Sequence, residues 1–208
     1  MPTPLGDFSY TWPFWAALVA GYLLGWIPFG LVLTKLAGLG DIREIGSRSI
    51  GATNVLRTGR KELAAATLLL DGGKGAVAVL LAGTMGPDMA VMAGAGAMIG
   101  HCFPVWLRFK GGKGVETALG ILIAIAWPVG LLACATWLVI AFMFRYSSLA
   151  SLTAVALSPV YAWYLADPQR AKLAAFIAVL VWIRHHENIR RLLRGEESKI
   201  KLGKSSAS

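Results

Sequence analysis

The feature that most constrains this chain is how little charge it carries along most of its length. Between residues 12 and 186, long apolar stretches are broken only by short polar clusters. Hydrophobic residues make up 56% of the chain and charged residues only 15%, with a mean hydropathy of +0.62. A soluble domain of 208 residues needs a polar shell. This composition does not supply one, so a bilayer is the expected solvent for the apolar surface. In lipid, every backbone N–H and C=O must be satisfied within its own segment, which leaves helices as the economical solution. The expected fold class is therefore all-α, a polytopic integral membrane helix bundle formed by a single domain over residues 1–208.

Counting apolar passes gives about seven transmembrane helices, some short or broken: residues 12–36, 62–84, 89–107, two within 115–144, 148–166 and 171–184. Pro28 should kink or end the first. The second is interrupted by Asp71-Gly72-Gly73-Lys74-Gly75, two ionisable residues that are expensive at that depth unless paired or facing a polar cavity. The stretch 115–144 exceeds the roughly 20 residues a span needs, and Pro128 suggests two short helices or a pair that dips in and returns. A polar tail begins near residue 187, and the segment GKSSAS from Gly203 onward is expected to be disordered. The first eleven residues carry no Lys or Arg, unlike a cleaved signal peptide, so the first segment is expected to be retained as a span.

Charge then sets the sidedness. Of 20 Lys and Arg, 17 fall in or beside residues 38–61, 108–114, Arg145 and the C-terminal tail. The positive-inside rule makes that side cytoplasmic, with the N-terminus outside and the C-terminus inside. The net charge of +9 suits the anionic leaflet or anionic substrates. Nucleic acid is not the expected partner, because the basic residues are scattered between apolar spans rather than gathered on one soluble face. Cys102 and Cys134 lack CxxC spacing and read as free thiols in apolar segments.

Three polar elements share the basic side. The first, residues 46–59, mixes Gly with Ser47, Thr53, Asn54 and Arg57. Glycines let N–H groups turn toward an anion, and hydroxyl, amide and guanidinium groups supply further donors. The second is Lys110-Gly111-Gly112-Lys113-Gly114, a glycine-rich turn that would open a helix at Val115 and offer free amides to a phosphate. The third leaves the last span, where His185 and Asn188, three residues apart, share a helix face. Each also reads as an ordinary basic segment resting on membrane lipid headgroups.

Several chemistries fail on spacing. The turn at Lys113 is not a Walker A loop, since Leu107 holds the first Gly position and Gly114 follows the lysine. No Asp stands five residues after His101, His185 or His186, and no GxSxG occurs, so a serine acyl-enzyme is not expected. A metal site would need a third ligand beside the adjacent His185 and His186, and none is expected. Basic loops, Gly-broken helices and an intramembrane Asp71–Lys74 pair also suit an anion or phosphate-ester transporter, although no inverted repeat is visible.

The strings GSRSIGATNVLRTGRK from Gly46, DGGKG from Asp71, GHCFPVWLRFKGGKGVET from Gly100 and RHHENIRRLLRGEESK from Arg184 occur in that order. Together they resemble the bacterial acyl-phosphate:glycerol-3-phosphate acyltransferase family, the PlsY type. The resemblance implies an inner-membrane enzyme without a cofactor. It would transfer a fatty acyl group from acyl phosphate to the 1-hydroxyl of sn-glycerol 3-phosphate, releasing inorganic phosphate and lysophosphatidic acid. It also implies that Ser47, Arg57 and Lys113 bind phosphate, that Gly111, Gly112 and Gly114 form the glycine loop, and that His185 and Asn188 are catalytic. The family's acidic residue falls on Glu197. The general base is left between His185 and a substrate phosphate. Two positions depart from the family pattern: Gly46-Ser47-Arg48-Ser49 stands where GSGN is usual, and Glu116 where a small residue is common.

Overall fold

A computed structural model describes residues 7–200; the tail from residue 203 lies outside the described residues. The chain there is helical, without strands among the described residues. The helices are α1 (Phe8–Gly25), α2 (Phe29–Leu36), α3 (Ala52–Val55), α4 (Lys61–Gly83), α5 (Pro87–Cys102), α6 (Val115–Ile125), α7 (Trp127–Phe144), α8 (Ser147–Leu165), α9 (Pro168–Arg184) and α10 (His186–Leu193).

Five stretches are long and apolar enough to cross a membrane: Phe8–Leu36, Lys61–Gly83, Pro87–Leu107, Trp127–Phe144 and Ser147–Leu165. The first is broken at Trp26–Pro28, where the proline ring cannot continue the helix. The pair expected within 115–144 proves unequal. With 11 residues, α6 rises about 16 Å, roughly half the hydrocarbon thickness, whereas α7 has full span length. The break falls at Ala126, so that Pro128 sits in the first turn of α7, where its missing N–H costs nothing. The seventh segment, α9, has 17 residues and is capped by Asp167, whose Oδ1 accepts from the N–H of Gln169 and of Arg170 at 2.9 Å.

In lipid there is no hydrophobic force between helices, so association depends on close van der Waals contact. The contact of α1 with α5 shows how this chain meets that need. A Cβ added to Gly21 or Gly25 would lie 2.1 Å from the carbonyl oxygens of Ala93 and Ala97, and one on Gly96 or Gly100 would collide with those of Leu18 and Tyr22. The two backbones touch where no side chain would fit. Small residues also line the main core, where Ala17, Ala78, Ala93 and Ala97 surround Met98, Ile121 and Ile177. Large apolar residues point outward instead, among them Leu69, Phe142, Trp163 and Tyr164, each at least 60% exposed. In water such a surface would aggregate; in a bilayer it is solvated.

The turns at one end of the bundle (Thr84–Gly86, Ala126, Ala166–Asp167) are short. At the other end lie the 37–60 loop with α3, the 103–114 loop, the Arg145–Tyr146 turn, and α10 with the segment after it. These four polar elements are tied together by side-chain bonds across the bundle.

Candidate active site

The first polar element is organised by Asn54, which is 1% exposed on α3. Its Nδ2 donates to the carbonyls of Ile42 (2.9 Å), Ile45 (3.2 Å) and Ser49 (2.8 Å), and its Oδ1 accepts from the N–H of Ser47 at 3.0 Å. Both ends of the amide are therefore spent on the loop. In this structure Asn54 therefore orders the loop and fixes the Ser47 backbone. Thr53 is exposed, with Oγ1 3.4 Å from Ser147 Oγ.

Glu116, one of the two departures from the family pattern, bonds to the first loop. Its Oε1 accepts from the N–H of Ala52 at 2.9 Å, so a carboxylate from the first turn of α6 caps α3 and ties the first loop to the second.

The glycine loop is pinned from below and from the side. Gly111 N–H donates to Cys102 O (3.2 Å) and Gly112 N–H to His101 O (3.0 Å). Their own carbonyls accept from Arg184, at 2.9 Å from Nη2 and 3.1 Å from Nε respectively, and the guanidinium lies 5.3 Å from the centre of the Phe103 ring. The amides of Gly111 and Gly112 thus bond carbonyls of the α5 C-terminus in this structure. Donors become available only from Lys113 onward, at the N-terminal turn of α6, where the helix dipole adds positive potential. Gly114 makes that turn possible with φ of +82°. Lys110 is exposed, and among the described residues its ammonium has no hydrogen-bond partner.

The third element begins at His185, 3% exposed, between α9 and α10. Its Nδ1 lies 2.8 Å from Val181 O, so the proton sits on Nδ1 and the lone pair on Nε2. Asn188, 4% exposed, donates from Nδ2 to Glu197 Oε1 at 2.7 Å. The same oxygen accepts from Ser148 Oγ at 2.8 Å, and Oε2 accepts from Arg191 Nε at 2.6 Å. Arg57 Nη2 donates to Ser198 Oγ at 2.6 Å, which brings the first element to the third.

Electrostatics bear out this crowding. Burial pushes Lys113 down to about 8, with the nearby charge of Arg191 acting in the same direction. Burial likewise pushes His185 down to about 4, aided by the Lys113 ammonium, so the imidazole is neutral at pH 7. Burial pushes Glu197 up, but the hydrogen bonds from Asn188, Arg191 and Ser148 outweigh it and hold the carboxylate ionised. A concentration of fixed donors and positive charge facing a neutral imidazole is an arrangement for binding anions near a group that accepts a proton. Ser148, Arg184 and Arg191 were not singled out from the sequence. Arg191 and Arg184 stood in a basic run, and nothing local marked Ser148.

A family model of glycerol-3-phosphate acyltransferases matches residues 15–195. The chain belongs to the glycerol-3-phosphate acyltransferase family. It is similar to the glycerol-3-phosphate acyltransferase of Rhodospirillum rubrum, with 61% identity, covering 91% of this chain and 92% of that one. The enzyme of the same name from Paramagnetospirillum magneticum is 63% identical, covering 89% of this chain and 92% of the relative. Among solved structures, the glycerol 3-phosphate form of PlsY, an integral membrane glycerol 3-phosphate acyltransferase, superposes with a TM-score of 0.86 at 38% identity. That match covers 90% of this chain and 96% of the other. The lysophosphatidic acid form of the same enzyme gives a TM-score of 0.84. This acyltransferase is thus a multi-pass, all-helical membrane enzyme. The comparisons support acyl transfer and lend no support to the transporter reading.

Proposed function

We propose that this acyltransferase takes its acyl group from acyl phosphate and transfers it directly to the 1-hydroxyl of sn-glycerol 3-phosphate. The observation that supports this reading is that the loops carrying Ser47, Arg57 and Lys113 are joined by side-chain bonds to each other and to the segment after His185 and Asn188, at one end of a largely apolar bundle. Two phosphate-bearing substrates need cationic and N–H donors, while a fatty chain needs lipid or an apolar groove. Only the membrane interface offers both at once.

Acyl phosphate is a mixed anhydride with a good leaving group, so catalysis reduces to positioning and charge neutralisation. The 1-hydroxyl oxygen attacks the acyl carbon, an ester C–O bond forms, and the bond to phosphate breaks. Inorganic phosphate departs with the bonding pair, next to Lys113 and the α6 N-terminus. The hydroxyl proton passes to His185 Nε2 or to the departing phosphate. Arg57 and Ser47 hold a phosphate, and Asn188, braced by Glu197, orients the acceptor. The basic end faces the cytoplasm of a bacterial inner membrane, following the excess of Lys and Arg there.

Purified enzyme given glycerol 3-phosphate with acyl phosphate, acyl-CoA or acyl carrier protein in separate reactions tests the donor. Lysophosphatidate should form with acyl phosphate alone. Equal rates with a thioester donor would overturn the choice of donor, and an acyl group trapped on Ser47 would overturn direct transfer. Near-full activity of His185→Ala at neutral pH would assign the proton to the phosphate.

A further inference from the structure

Directly beneath the glycine loop lies a polar cluster that the reaction as described does not use. Asp71 and Lys74 stand three residues apart on α4, with side chains 0% and 3% exposed, and Lys74 Nζ is 2.6 Å from Asp71 Oδ1. The same Nζ donates to Ile27 O at 2.6 Å, a carbonyl freed by the break before Pro28, and lies 5.8 Å from the centre of the Phe29 ring. His101, with a fully buried side chain at the end of α5, places Nδ1 3.8 Å from Asp71 Oδ1. Asp71 Oδ2 and both ring nitrogens of His101 are buried without a hydrogen-bond partner. Ionisable groups in a membrane interior are costly, and three together ask for a role.

The cluster reaches the loop at two points. The Asp71 carbonyl accepts from Thr117 Oγ1 at 2.9 Å, in the first turn of α6. The other contact is tighter: a Cβ on Gly112 would lie 2.1 Å from His101 Nε2, while the His101 carbonyl accepts the Gly112 N–H at 3.0 Å. The imidazole occupies the space that any side chain at position 112 would need.

We infer that His101, packed beside the Asp71–Lys74 pair, is a positioning residue for Lys113, its ring forming the seat on which the glycine loop rests. With the seat intact, Gly112 is held against His101 from below and by Arg184 from the side, and the chain enters α6 in one fixed direction. The Lys113 ammonium and the N–H groups of the first turn then point where the phosphate must lie. With the ring removed, the loop sinks toward the bundle and those donors shift. The inference rests on the reading that Lys113 holds a substrate phosphate.

The test is a double-mutant cycle between the seat and the loop, with purified enzyme in detergent and both KM and kcat measured. His101→Ala and Gly112→Ala should each raise KM for a phosphate-bearing substrate about 10- to 100-fold, because the misplaced groups bind that phosphate. The double variant should recover much of the loss, since the new methyl at 112 fills the space the ring left. His101→Gln keeps bulk beneath the loop and should stay near the wild-type KM. A merely structural role would lower kcat in proportion to the folded fraction and leave KM alone. Unchanged KM in the single variants, losses that multiply in the double, or a His101→Gln KM as high as that of the alanine variant would each overturn the inference. If His101→Ala does not fold, Gly112→Ala and His101→Gln still decide it. Wild-type enzyme assayed alongside separates failure of the donor reading, which would show as no product even there.

Discussion

Arg57 Nη2 donates to Ser198 Oγ at 2.6 Å, across 141 residues of sequence. A serine oxygen is a neutral acceptor and takes one bond; a phosphate oxygen is charged and can take the guanidinium in a bidentate ion pair, which is stronger. Substrate should therefore displace Ser198 from Arg57. Ser198→Ala should change kcat/KM by no more than about tenfold, the worth of one hydrogen bond. Arg57→Ala should lower it by about 100-fold or more, as for other residues that neutralise charge in the transition state. Initial rates of lysophosphatidate formation check both. Equal losses would mean that Ser198 touches substrate itself.

In the proposed reaction Lys113 binds phosphate as the ammonium, and its descent to about 8 means that it loses that charge earlier than a free lysine. In the free enzyme, kcat/KM should fall about tenfold per pH unit above this value. Lys113→Arg should move the fall beyond the accessible range, because guanidinium stays protonated. A pH profile from 6 to 10 for both proteins, at about 0.15 M salt, measures the difference.

His185 gives a stability prediction of opposite form. Its pKa is about 4 when folded and 6.5 ordinarily, so between these values the unfolded chain binds more protons. Stability is fully present above pH 6.5 and is lost as pH falls toward 4. Between pH 7 and 5 the loss attributable to this group is about 2 kcal/mol. The apparent melting temperature in detergent should drop over that interval more in wild type than in His185→Gln. Parallel curves for the two proteins would contradict it.

Glu116 caps α3 from α6 through the N–H of Ala52. Glu116→Ala should cost about 1 kcal/mol, as other lost helix caps do, and should raise KM for glycerol 3-phosphate by loosening the loop that carries Ser47 and Arg57. Glu116→Gln, which retains an acceptor oxygen, should lie between. Thermal melting and substrate titration read the two effects separately.

The apolar helices were legible because lipid imposes one rule on every residue of a segment and hydropathy reports it directly, although five of the seven expected passes are long and apolar enough to cross. Pro28 and Pro128 marked breaks that the helices respect, although Pro128 did not reveal that α6 would be short and α7 long. Ser47, Arg57, Lys113, His185 and Asn188 lay in polar strings that stood out against apolar surroundings. What those strings hid was the division of labour within them. Asn54 and the amides of Gly111 and Gly112 have donor chemistry suited to phosphate, yet carbonyls elsewhere in the fold already occupy them. Arg184 and Ser148 acquire their partners only when α9 meets the glycine loop and α8 meets the segment after α10. Such pairings follow from how the helices are arranged, which a local string does not record.

The bonds from Arg57 to Ser198 and from Ser148 to Glu197 join parts of the chain that enter the membrane at different times. A chain inserted only through α7 already carries Arg57 and Lys113, but lacks Ser148, Arg184, His185, Asn188 and Glu197. It has the charge to attract phosphate and none of the groups that would brace or deprotonate a substrate. Partly inserted intermediates should therefore be catalytically silent.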